Sequence, residues 1–413
     1  MHNRLEHLYD CKCDDCNHKS ETLTLSLKSD FKDLLKVVEA AFKKLHTNEA
    51  YNVRDLIKIK EYRDVIRQTN GILSGALEDN ALSDKLLKGL KEDIFYFSQL
   101  RTHAELTEAS RMLLTSDGKI KSFDSFSNDT KKLKDSYNRN YLEAEYDFAV
   151  GSVLMADRFD NFKDGDRYLL QYRTAQDERV RETHQTLHDI TLPKEDPFWD
   201  KYFPPNGWRC RCTTVQVLSR KNEVSDSKAA IKSGEAATYQ ESKSGTNKLD
   251  IFRFNAGKEK VVFPPKHPYR KVAGANKIKR QFKEAGKAEV KETMKNNRQA
   301  YQGSVKTKRF GNVLINRKTF EKTQNINQGS YERQVSALNE IGNVKKHLNA
   351  FKGKIKLIET RKEKAEKKPN LLGYIDVPTK DKQFLIGLVK DTALAEDYKV
   401  YYIKKVADTL GQD

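Results

Sequence analysis

Cysteine is scarce in this chain. Only five occur among 413 residues, Cys11, Cys13 and Cys16 in one cluster and Cys210 and Cys212 in another. So tight a grouping argues against a disulfide scaffold and for reduced thiols or metal ligation. Long apolar runs are missing too, and no uninterrupted stretch approaches the length of a bilayer crossing, so no membrane partner is expected. The opening Met1-His2-Asn3-Arg4-Leu5-Glu6-His7 lacks the apolar core of a secretion signal, and the expectation is synthesis in the cytoplasm. Tryptophan is limited to Trp199 and Trp208.

Charge is abundant. Charged residues make up 33% of the chain against 37% hydrophobic, and mean hydropathy is −0.80, a surface-rich composition with length for two or three domains. The net charge of +18 is unevenly placed. Residues 256–413 carry 36 Lys and Arg against 17 Asp and Glu, whereas residues 1–255 carry 41 against 42. Clustered cations gain affinity for phosphate backbones by releasing counterions, so DNA or RNA is the expected partner of the C-terminal part. A solvated basic surface competes, since Lys362 to Lys368 interleaves Lys with Glu.

Five territories follow from pattern. Residues 1–20 form a Cys-rich tail in which Cys11, Cys13, Cys16 and His18 could knot a zinc ion, the alternative being a disordered thiol-bearing tail. Residues 21–150 place apolar side chains at helical spacing over Phe31–Phe42, Tyr51–Gln68, Asp84–Leu100 and His103–Leu114, with a long last helix from about Ser127 to Met155. Residues 151–270 predict a small α+β module, with strands at Arg167–Thr174, Thr213–Leu218, Leu249–Phe254 and Val261–Phe263 and a flexible insertion over Asn222–Lys248. Residues 271–300 predict a basic helical linker. Residues 301–413 predict one helix, Tyr331–Phe351, and an antiparallel meander of strands near 310–315, 354–359, 370–377, 384–389 and 398–403. The whole reads as α+β.

The stretch from Arg173 to Cys212 concentrates the rare residue types. A helix over Asp177–His188 would put His184 and His188 on one face, and Pro204-Pro205-Asn206-Gly207 turns the chain toward Trp208-Arg209-Cys210-Arg211-Cys212 on a strand. Two thiols and imidazoles would make a tetrahedral zinc set, with Asp177 as substitute ligand or supporting partner. The competing reading buries the two Cys as small apolar side chains, with His184 and Asp177 bonded to Arg179, Arg181 or Arg209. No Ser or Cys nucleophile with a base and an orienting acid stands out, so no catalysis is read in this stretch.

With Arg173, Asp177, Arg179, Arg181 and Trp208 in this order, the stretch resembles the signature of the phage Mu protein F-like family of minor head proteins. Phe254-Asn255-Ala256-Gly257-Lys258 through Phe263-Pro264-Pro265-Lys266-His267-Pro268-Tyr269 looks like the end of the same module. The resemblance implies head morphogenesis, portal, capsid and scaffold partners, and residence in the virion. The basic C-terminal layout is similar to toxin-like nuclease modules of the barnase, EndoU, colicin and RelE group, which implies the alternative of a head protein delivering an RNase effector. Metal-free RNA cleavage needs a base, an acid and cations. His347 could serve as the base, Arg309 and Arg317 as phosphate clamps and Tyr374 as proton donor, with Lys318, Lys345, Lys346 and Tyr401 binding the nucleic acid. For His347 the competing reading is a solvated helix-surface histidine.

Overall fold

The computed structural model describes residues 8–9 and 25–406, apart from 79, 243, 244, 329, 330 and 361–365. The N-terminal cluster of Cys11, Cys13, Cys16 and His18 lies outside the described residues. Two compact units divide at residue 281, and both α and β elements are present as expected.

The first unit begins with helices. In α1 (Leu25–Thr47), Leu34, Val38, Ala41 and Leu45 recur on one face and are buried. Helix α2 (Lys60–Ser74) buries Val65, Ile66, Ile72 and Leu73 in the same way. Helix α3 (Asp84–Ser110), capped by the Ser83 hydroxyl accepting from Leu86 N, runs straight through the break that the sequence predicts near residue 101. It is sheathed on every side there, and residues 97–106 are all buried. Arg101 is fully buried, giving Nε to Glu145 at 2.9 Å and its two terminal nitrogens to the Asn138 side chain and the Tyr137 carbonyl. Asn138 in turn donates to Glu105 at 2.5 Å. Those polar groups satisfy one another, so the helix need not end where its apolar stripe does. Helix α4 (Phe123–Asp135) and helix α5 (Leu142–Asn161) are joined by a π-helical turn, Ser136–Tyr141, which carries Tyr137 and Asn138 into this network.

Three strands follow in one antiparallel sheet, order β2-β1-β3: β1 (Tyr168–Arg173), β2 (Thr191–Leu192) and β3 (Thr213–Leu218). Leu170, Tyr172, Leu192, Trp199, Tyr202 and Phe203 build the core beneath it. The region expected to be a flexible insertion holds α6 (Ser227–Ala237), capped by Asp226, with Gly234 pressed on the ring of Tyr202. Neither Leu249–Phe254 nor Val261–Phe263 is a strand. The first is a 3-10 turn, Leu249–Phe252, and the amides of Val262 and Phe263 go to Asp93 of α3, at 3.0 and 2.9 Å, instead of to a ladder. Phe263 stacks on Phe97 and binds this segment to the helices.

The expected basic linker is helix α7 (Ala275–Tyr301). The second unit contains β4 (Gly303–Thr307), which apolar patterning does not predict, then β5 (Gly311–Ile315) and α8 (Arg317–Ile326). The single helix expected over Tyr331–Phe351 is α9 (Tyr331–Asn339), a 3-10 turn and α10 (Val344–Ala350). Strands β6 (Ile358–Glu359), β7 (Leu371–Pro378), β8 (Phe384–Asp391) and β9 (Tyr398–Lys405) complete a sheet of order β4-β5-β9-β8-β7-β6. It is a mixed sheet, not a simple meander, because β5 and β9 are parallel. Ile341, Val344 and Leu348 pack on Ile375, Val377, Ile386 and Ile403, so the helices cover one face.

Candidate functional site

The tryptophan-cysteine stretch is anchored before it is chemical. Trp208 is 3% exposed, with Phe148 and Phe252 edge-on to its ring and Tyr9 stacked at 4.7 Å. Arg181 Nη2 donates to the Trp208 carbonyl at 2.8 Å and lies against Gly207, where little room for a side chain exists. Arg209 sits in the left-handed region at φ 55° and faces Asp147 and Glu143 at 3.6 and 3.8 Å. That reversal redirects the chain, and the two cysteines precede β3 instead of lying on it.

The helix expected over Asp177–His188 is a single turn, Glu182–Gln185. His184 and His188 therefore part company. Nδ1 of His188 accepts from the Thr174 amide at 3.1 Å, with Gln176 against its Nε2, whereas His184 is 1% exposed and turned inward. Nδ1 of His184 lies 3.7 Å from Cys210 Sγ and 3.6 Å from Cys212 Sγ, and the three ligand atoms are all within 4.8 Å of one another. Nε2 of the same ring is buried with no partner among the described residues. A hydrogen bond from Cys212 holds the Cys210 thiol well below its usual range against the opposing effect of burial, and the same bond drives Cys212 upward. Tyr172, which receives a hydrogen bond from Asn206 at 3.1 Å, can give its own proton to Cys212.

Asp177 is elsewhere. Both its oxygens accept from Arg211, at 2.5 and 2.6 Å, and Oδ1 also takes the Arg179 amide, so its carboxyl is held low, at about 2, by the Arg211 hydrogen bonds. Arg173 pairs with Asp189 at 3.0 Å. Sequence reasoning misses Arg211, Tyr172 and Glu145, whose partners are distant in the chain.

In the second unit Arg309 bonds the end of α10, the helix that carries His347, while Tyr374 and Tyr401 pack together on β7 and β9. His347 Nε2 contacts Glu340 Oε1, a carboxylate seven positions upstream in the adjoining 3-10 turn. Arg309 donates to the carbonyls of Phe351 and Gly353 at 2.7 and 3.1 Å, and Arg317 pairs with Glu321 at 2.7 Å. Tyr374 packs against Tyr401, 5.8 Å between centroids, with Lys322 over the Tyr401 ring. Tyr374 alternates with the buried Gly373 and Ile375, so it stands on the face of β7 opposite the helices that carry His347. Lys318, Lys345 and Lys346 are exposed.

Residues 118–215 match the family model described as Phage Mu protein F like protein. The matched segment runs from before α4 into β3 and includes His184, Cys210 and Cys212. Over 49 residues the chain is 45% identical to "Putative capsid assembly protein F" of Escherichia phage Mu, covering 12% of this chain and 11% of that protein. Over 71 residues it is 34% identical to "Mu-like prophage FluMu F protein" of Haemophilus influenzae, covering 16% and 17%. The alignments thus span under a fifth of either relative's length. No solved structure matches.

Proposed function

We propose that this chain is a phage head morphogenesis protein that joins other head proteins through its first unit and meets the packaged genome through its basic second unit. The 45% identity to a protein titled as a capsid assembly protein carries the reading, because the family model matches this chain too. Two features of the structure support a binding role over turnover. In the matched segment Arg181 anchors Trp208 and Asp177 pairs with Arg211. The second unit's Lys318, Lys345 and Lys346 are exposed on α8 and α10, open to an anionic partner.

The portal is the expected neighbour, with capsid and scaffold proteins beside it. The test is genetic and biochemical. A phage lacking the chain should form few filled heads, supply of the intact chain in trans should restore them, and antibody should find the chain in purified particles. Normal yields of filled heads without it would overturn the reading.

A further inference from the structure

We propose that His184 Nδ1, Cys210 Sγ and Cys212 Sγ hold a zinc ion, with solvent at its fourth position. Zinc bonds of about 2.3 Å to sulfur and about 2.0–2.1 Å to nitrogen at a tetrahedral angle require sulfur and nitrogen about 3.6 Å apart. Both thiols meet that separation from the same ring nitrogen, at 3.7 and 3.6 Å. The space beside them, lined also by Arg179, Val180, Arg181 and Arg211, is about 10 Å³, room for one water-sized sphere.

Burial supplies an independent reason. His184 is 1% exposed, and its Nδ1 faces two sulfurs. Thiols are weak hydrogen-bonding partners, so an imidazole satisfied by them alone bears an uncompensated desolvation cost. A metal bond at Nδ1 offsets it. Outer support is present as well, because Asn206 donates to Tyr172 and leaves the phenol's proton for the Cys212 sulfur. Asp177 takes no part, since Arg211 occupies both of its oxygens.

On binding, Zn²⁺ forms two sulfur bonds and one nitrogen bond, and the protons carried by the thiols leave to solvent. No electron moves. The ion ties the turn at residues 181–184 to the segment 209–212, which makes it a clip for the Trp208 anchor.

The test uses the full chain with Cys11, Cys13 and Cys16 all changed to Ser, so that only this trio supplies thiolates. Purified in the presence of zinc and dialysed, it should retain one equivalent of metal per chain, and Cys210→Ser, Cys212→Ser or His184→Asn should each reduce this at least tenfold. Zinc-edge X-ray absorption on the triple-Ser chain should show two sulfur neighbours at about 2.3 Å. That measurement needs no further substitution, so it decides the matter even where a ligand variant fails to fold. A metal-free triple-Ser chain, a bound zinc without sulfur neighbours, or full metal content in Cys210→Ser would each overturn the assignment.

Discussion

Trp208 does at the scale of a single residue what the motif does as a whole. Its ring is enclosed by Tyr9, Phe148 and Phe252 and its carbonyl is held by Arg181. Trp208→Ala should cost about 3–5 kcal/mol in chemical denaturation, with Trp199 as the fluorescent reporter, because the surrounding rings cannot close the space. Glu105 gives a different signature. Burial lifts its pKa from 4.5 to about 7 although Arg101 opposes the rise, and burial lifts Asp147 from 3.8 to about 6 against Arg209. A carboxyl raised in the folded state binds its proton more tightly there than in the unfolded chain. The stability it contributes is complete below pH 4.5 and is lost as pH rises toward 7. The melting temperature should fall across that window, and Glu105→Gln should flatten the fall. An unchanged slope in that variant would exclude Glu105 as the cause. None of this is legible in the sequence, where Glu105 lies on an apolar-patterned helix and the network it joins, Arg101, Asn138 and Glu145, is drawn from three elements.

Elements are legible in proportion to how local their causes are. The apolar recurrence in α1 and α2 specifies helices, and the alternation in β7, buried at Leu371, Gly373, Ile375 and Val377, specifies a strand with one covered face. Leu249–Phe254 misleads because its apolar side chains enter the core from a 3-10 turn, and β4 escapes notice because its Gly303-Ser304-Val305-Lys306-Thr307 is mostly exposed and carries little apolar signal. Helix α6 shows packing overriding propensity. Alanine at Gly234 would gain about 1 kcal/mol of helix propensity, yet its Cβ would stand 2.5 Å from the Tyr202 ring. Overpacking of that kind costs about 1–3 kcal/mol, so Gly234→Ala should lower the melting temperature; a rise would show that Tyr202 can move aside.

For the whole molecule, the charge asymmetry is the property with a consequence. Two units with separate cores divide the chain, and the cationic excess belongs to the part that contains the second. The full chain should bind duplex DNA with an affinity that falls linearly in log–log form as salt rises, and Lys345→Gln with Lys346→Gln should reduce the slope by about 2, the change expected where each lysine contacts one phosphate. Absence of binding at low salt would remove the genome from the proposed function while leaving head assembly intact.

Sequence alone determined the α+β class, the helical leader, the order of the signature and the placement of charge, because each is set by residues close in the chain or by composition. Tertiary structure decided which of the candidate ligands meet. His184 and His188 are four apart and separate, His184 and Cys212 are twenty-eight apart and converge, and Asp177 turns to Arg211. Those outcomes depend on where a one-turn helix ends and a left-handed Arg209 reverses the chain, and packing, not spacing, fixes both.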